Sequence, residues 1–259
     1  MAVPIFSNDF MQVCPDEILI DIEDVASYYI SDGKSINIYP FPGANDFDIQ
    51  DQLEKWGVIS ILHQRKILNF HASSFSLDGK GIIVCGDTGA GKSSVTAAFC
   101  SKNAMFMNDD ITAIHFKENI PLIEKLGHSI SLLPEAVQQL GLNRKETVPV
   151  GYKQNVIPSN DANEFTPLGY IIHISIINSD RPVIKEIHGP EKFSLLRSNI
   201  CSWEMLKGMP GLEAEYMKQL LAICDTTPVY SIERPENISI MELAKFIEQD
   251  LHLTPNYLS

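Results

Sequence analysis

Residues Gly81 to Ser94 read GIIVCGDTGAGKSS, and this stretch constrains the chain more than any other. The apolar run Ile82 to Cys85 enters Gly86-Asp87-Thr88-Gly89-Ala90-Gly91-Lys92-Ser93, with Ser94 next in the chain. The pattern is G-x-x-x-x-G-K-[ST], with a strand signal before it and a helix signal after it. Its glycines let the backbone curl so that successive N–H groups converge on phosphate oxygens, and the start of the following helix adds its positive end. In such a loop Lys92 reaches the outer phosphates and the Ser93 hydroxyl holds Mg²⁺. A glycine-rich turn that binds nothing would leave the lysine unexplained. The expected ligand is a nucleotide, with its phosphates on residues 86–94.

The rest of the composition narrows the setting. A chain of 259 residues, 44% hydrophobic and 20% charged, has an ordinary globular make-up and room for one large domain or a small one joined to a larger. Its formal net charge of −13 argues against general nucleic-acid binding, which needs a basic footprint. The five cysteines are scattered and include no C-x-x-C pair, so neither a disulfide frame nor a zinc site is expected. The start, MAVPIFSNDFMQVCPDE, lacks a basic segment followed by an apolar core, and no apolar run is long enough to span a bilayer. These features predict a cytoplasmic protein that binds neither nucleic acid nor membrane.

Before the loop, Glu17–Glu23, Ala26–Ser31 and Ser35–Tyr39 alternate as strands, and a helix is expected from about Ile49 to Gln64 with Gly57 as its weak spot. Residues 1–65 thus read as a small sheet-plus-helix module and 66–259 as the nucleotide core. The run Ile67 to Leu77 turns at Asp78-Gly79 into the strand that enters the loop. A tight hairpin there would set Leu77 opposite Gly81 and His71 opposite Asp87, at the mouth of the loop. That placement favours a working histidine over a packed one.

After the loop a helix runs to Lys102, and Ala104 to Met107 is a short buried strand ending at Asn108-Asp109-Asp110. Carboxylates at the end of such a strand are where NTPases place the group that handles Mg²⁺ or the attacking nucleophile. Adjacent strand residues point to opposite faces, so at most one of Asp109 and Asp110 is expected to face the phosphates; a solvated turn is the plainer alternative. Ile111–Phe116 and Ile120–Ile123 suggest a hairpin, and Pro134 opens a short helix with Glu135 in its first turn. Asn143 to Phe165 reads as a polar surface loop carrying Arg144, Lys145 and Lys153, and loops of this length also serve as lids. His173, inside an apolar run, reads as a core residue. Strands at Leu168–Ile177, Val183–His188 and Val229–Ile232 and helices from Gly189, Gly211 and Ile240 complete the pattern.

The order His71, GDTGAGKS, NDD resembles that of the HPr kinase/phosphorylase family, and more closely its shorter relatives. The intervals from His71 to Lys92 and from Lys92 to Asp110 are similar to the family's. Weaker likenesses are Phe70-His71-Ala72-Ser73, Leu132-Leu133-Pro134-Glu135-Ala136, the PLG from Pro167 and Pro228-Val229-Tyr230, so the resemblance covers nearly the whole chain. It implies a mixed α/β fold, with an α+β mixed sheet and the nucleotide core shared with ATP-dependent phosphoenolpyruvate carboxykinases. It also implies phosphoryl transfer from ATP to a serine hydroxyl, with Asp110 as general base, Lys92 neutralising the transferring phosphoryl group, Ser93 on Mg²⁺ and His71 near the phosphates. The metal set carried across is Ser93, Asp109 and Glu135, the last at about the right interval from Lys92 but in a different context. The family's Glu-Ile-Arg-Gly-Leu-Gly segment has no counterpart; Glu186-Ile187-His188-Gly189 imitates its start but lies too late. The acceptor is a protein, a peptide or a small hydroxyl compound, and the family often forms oligomers. The rival reading is a plain NTPase or a nucleotide-binding regulator.

Overall fold

Strand alternation in the first forty residues yields an antiparallel meander of β1 (Phe6–Ser7), β2 (Met11–Val13), β3 (Glu17–Ile22), β4 (Ala26–Ser31) and β5 (Ser35–Pro40), paired in that order. The buried face carries Ile18 and Ile20 of β3 and Ala26, Tyr28 and Ile30 of β4, all fully enclosed. The structure is a computed structural model that describes residues 3–142, 149–150, 153–160 and 162–251. The chain divides into two compact units, one of Met1–Asn69 with Ile200–Leu221 and the other of Phe70–Asn199 with Ala222–Ser259. The N-terminal module therefore includes a second, distant segment that the sequence pattern alone places with the core.

In the first unit the expected helix begins earlier, at α1 (Asp46–Gln52), where the Asn45 side chain caps the Asp48 N–H at 2.8 Å. It continues through a π-helical turn at Leu53–Gly57 into α2 (Val58–Gln64). Gly57, the expected weak spot, falls in that turn and lets the Ile36 side chain approach where a Cβ would come within 3.0 Å of it. His63 on α2 is fully buried. Its Nε2 lies 2.9 Å from the Cys201 carbonyl oxygen and its Nδ1 3.0 Å from the Tyr216 hydroxyl, which itself donates to Ile67 O at 2.7 Å. Burial pushes His63 down to about 4.

The second unit is built on a larger sheet of mixed strand orientation. Its elements are β6 (Leu68–His71), β7 (Ser73–Leu77), β8 (Lys80–Gly86), α3 (Lys92–Cys100), β9 (Met105–Asn108), β10 (Ile111–Lys117) and β11 (Ile120–Glu124), then β12 (Ile130–Leu132), α4 (Pro134–Gln139), β13 (Pro149–Val150) and β14 (Lys153–Val156). There follow β15 (Phe165–Ile177), β16 (Val183–Glu186), α5 (Gly189–Ser198), α6 (Leu212–Thr226), which begins in the first unit, β17 (Val229–Pro235) and α7 (Ile240–Asp250). The order is β6-β10-β11-β15-β8-β7-β9, with β17 joining β15 and β16 joining β17. β8, β15 and β17 are mutually parallel; the β7–β8, β7–β9, β10–β11 and β16–β17 pairs are antiparallel. The core under α3 and α7 includes Phe75, Val84, Phe99, Ile172, Ile232 and Leu243, with the Phe75 and Phe99 rings stacked at 4.7 Å.

Three expectations change here. The β7–β8 hairpin closes through two residues, Asp78 and Gly79, both at positive φ, so Leu77 faces Lys80 instead of Gly81. The strand expected at Val183–His188 ends at Glu186, and it pairs antiparallel with β17. Part of the polar 143–165 stretch is strand: β14 pairs with β12 and β13, while Arg144 and Lys145 lie outside the described residues. Among the described residues no helix is long and apolar enough to cross a membrane, and no two of the five cysteines are joined in a disulfide.

The low affinity of buried His63 for a proton has a measurable consequence. Below about pH 6.5 the unfolded histidine takes up a proton that the folded one refuses until about pH 4, so stability falls with pH across that window and levels off beneath it. The contribution reaches roughly 3 kcal/mol. Urea denaturation from pH 7 to 4 should show this slope, and His63→Gln should flatten it; equal slopes in both proteins would show that His63 is not its source.

Candidate functional site

The loop that leaves β8 is shaped by three positive-φ glycines, Gly86 (+138°), Gly89 (+83°) and Gly91 (+107°). Asp87, Thr88 and Gly89 are exposed, Ala90 is buried beneath them, and an Ala90 N–H to Asp87 O bond of 3.0 Å closes the curl. Gly91 then hands the chain to α3, whose first-turn N–H groups at Lys92, Ser93 and Ser94 have no intrahelical acceptors. The Lys92 ammonium folds over the loop, donating to Gly86 O at 2.8 Å and Asp87 O at 3.4 Å. Burial lowers its pKa, and nearby Asp110 and Asp109 work against that shift.

Directly after β9 the chain bends. Asn108 is fully buried and uses its whole amide: it donates to Glu124 O (2.8 Å) and Ser74 Oγ (3.1 Å) and accepts from the N–H groups of Leu126 (2.7 Å) and Gly127 (2.9 Å). This fixes the point from which the two aspartates project. Asp109 accepts from the Ser93 hydroxyl at 2.8 Å through one oxygen and from the Ser131 N–H at 2.9 Å through the other. Desolvation raises its pKa, opposed by hydrogen bonds from Ser131, Ser93 and Ser73. Asp110 sits at φ +72°, a conformation costly for a non-glycine residue.

That bend takes the two carboxylates out of the alternation expected of a strand. The alternation rule applies to extended chain, and Asp109 and Asp110 lie beyond the strand's end, with the Ile111 N–H closing back on Asp109 O at 3.0 Å. Asp109 turns to Ser93, and both carboxylates lie near Lys92.

His71 comes to the site by a different route from the one the hairpin suggested. The β7–β8 ladder ends at Ser73 opposite Val84, and the chain before it leaves to form β6. The His71 N–H bonds to Asn199 O (2.8 Å) and the Ala72 N–H to Asp110 O (3.1 Å). The ring therefore meets Asp110: Nδ1 is 3.1 Å from the Asp110 carbonyl oxygen and 3.2 Å from its carboxylate. With acceptors on both sides, Nδ1 must carry the proton, and His71 donates to Asp110.

Hard cations such as Mg²⁺ take oxygen donors, and neighbouring ligands in an octahedron at 2.0–2.1 Å lie about 2.9 Å apart. The Ser93 hydroxyl and Asp109 carboxylate oxygens, 2.8 Å apart, match that edge. Glu135 is exposed in the first turn of α4, and among the described residues no group of three or more His, Cys, Asp or Glu side chains is gathered as a metal site.

Two neighbours were missed in the sequence. Arg234, at the end of β17, donates from Nε to Ala90 O (2.8 Å) and from Nη2 to Gly89 O (3.3 Å), holding the loop by its carbonyls. Nothing local in Ile232-Glu233-Arg234-Pro235 marks this role; only the β15–β17 pairing brings it there. His173, read as a core residue, is only half-buried. Burial lowers its pKa, with Asp87 and Lys92 as its charged neighbours.

No family model and no curated protein matches the chain. Among solved structures, the Hpr(Ser) kinase/phosphatase from Coxiella burnetii is similar with a TM-score of 0.38 and 12% sequence identity, over 71% of this chain and 96% of that one.

If Arg234 holds the loop, its loss should loosen the loop alone. Hydrogen bonds from a charged donor contribute about 1.5–3 kcal/mol. Arg234→Met should therefore speed amide exchange at residues 88–93 by about tenfold or more, with the β3–β4 amides unchanged. Hydrogen–deuterium exchange mass spectrometry reads both regions, and unchanged loop exchange would remove the role assigned to Arg234.

Proposed function

We propose that the chain is an ATP- and Mg²⁺-dependent phosphotransferase that moves the γ-phosphoryl group to a serine-type hydroxyl of a protein, peptide or small molecule. The observation that carries this reading is the meeting, within the second unit, of the Lys92 loop, the Ser93–Asp109 oxygen pair and the His71–Asp110 pair. Phosphoryl transfer asks a protein mainly for positioning and charge stabilisation, and each of these groups supplies one part.

Under this reading the phosphates lie along residues 86–93, against the first-turn N–H groups of α3 and the Lys92 ammonium. Ser93 and Asp109 hold Mg²⁺, which when bound neutralises charge on the phosphate oxygens. Asp110, with its side chain about half exposed, takes the proton of the incoming hydroxyl. The hydroxyl oxygen then forms its bond to the γ-phosphorus as the bond to the bridging β–γ oxygen breaks, and ADP leaves with the negative charge that Lys92 offsets. His71 Nδ1–H, donating to Asp110, holds that carboxylate in position.

Asp110→Asn should keep ATP binding and lower transfer by about 10²–10⁴-fold, the range for loss of a general base. Lys92→Ala should abolish turnover. The assay is incubation with γ-labelled ATP and cell extract, following label into a new molecule or into free phosphate. Label only in free phosphate would make the chain an NTPase, and full activity in Lys92→Ala would remove the site.

A further inference from the structure

The parallel strands β8, β15 and β17 all end at the same edge of the sheet, and ligands of open α/β sheets bind outside such carboxyl ends. β8 ends in the loop. Beyond the ends of β15 and β17, between residues 176–182 and 235–242, lies a cavity of about 780 Å³, a volume suited to a small organic molecule. The cavity and the loop share one side chain. The Arg234 guanidinium that holds Ala90 O and Gly89 O also donates from Nη1 to Pro235 O (3.0 Å) and Glu236 O (3.2 Å), in the cavity wall.

The spacing fits an extended ligand that crosses from one to the other. Ile174 pairs with Gly86 where the loop begins, and Ile177 lies three residues further along β15. At about 3.3 Å per residue that is roughly 10 Å, the reach of a sugar and a phosphate. The lining is not one for phosphate. Ile176, 47% exposed, and Ile238 face this space and give it an apolar wall for a flat ring to lie on. Asp180, Glu236 and Glu242 make the cavity negative, repelling phosphates while offering acceptors for hydroxyl and amino groups, and Asn178 and Asn237 add amides. Charge alone would therefore orient a nucleotide: phosphates on Lys92, and the uncharged end among the carboxylates.

We propose that this cavity holds the base and ribose of the nucleotide whose phosphates lie on residues 86–93. The assignment rests on the phosphotransferase reading above but makes a separate demand: that the nucleoside, and not only the polyphosphate, contributes to affinity. Isothermal titration calorimetry with Mg²⁺ and either ATP or inorganic tripolyphosphate tests it. In the wild-type protein ATP should bind at least tenfold more tightly than tripolyphosphate. Ile176→Ser, at an exposed position that the fold tolerates, should weaken ATP by about tenfold and leave tripolyphosphate unchanged. Equal wild-type affinities for the two ligands, or an Ile176→Ser variant that changes both or neither, would overturn the cavity assignment and leave the phosphate loop standing. Binding of neither ligand by the wild-type protein would overturn both.

Discussion

A Cβ atom on Gly86 would stand 2.2 Å from the carbonyl oxygen of Ile174. That close approach is the constraint from which the site is built. It is made where the parallel ladder between β8 and β15 ends, at the Ile174–Gly86 pair, and it lets the chain leave the sheet at φ +138°. Any side chain there would push β8 and β15 apart just where the loop must turn. Ala90 packs against the same point, its own Cβ 3.2 Å from where that atom would stand, so the loop sits tightly on the edge of the sheet. Arg234 then fixes it from the other side through the carbonyls of Gly89 and Ala90.

The second anchor is Asn108. A buried amide that finds all of its partners specifies a single geometry, because losing any one of them leaves a polar group unsatisfied in the interior. Gly127 passes so close that a Cβ on it would lie 2.8 Å from Asn108 Cα. With the end of β9 held this firmly, Asp109 and Asp110 can occupy a bend, and Asp110 a strained one, without shifting relative to Ser93 and His71. The strain lies where Asp110 meets His71.

Much of this was legible in the chain itself. The apolar run before Gly86, the Asp78-Gly79 turn and the carboxylates after Met107 are local signals, and the strand, turn and bend appear where those signals lie. The sequence also singled out His71, but the geometry used to place it was wrong: a hairpin extrapolated past Ser73 ignores the fact that a strand can leave one neighbour for another. Arg234 was not legible at all, since its partners lie 144 and 145 residues away. The same holds for residues 200–221, which join the N-terminal strands in one unit through contacts that no local pattern announces.

The sequence by itself determined the elements and the chemistry available to them: a glycine-rich turn between a buried strand and a helix, a lysine and a serine at its end, and two carboxylates just after the next strand. These depend on backbone conformation and side-chain identity, which are local properties. Tertiary structure decided which groups meet. It paired Ser93 with Asp109, turned His71 onto Asp110, brought Arg234 under the loop and opened a cavity beyond the ends of β15 and β17. Each of those meetings depends on strand order and on where a ladder ends. Both are set by packing among residues far apart in the chain, and not by any stretch read alone.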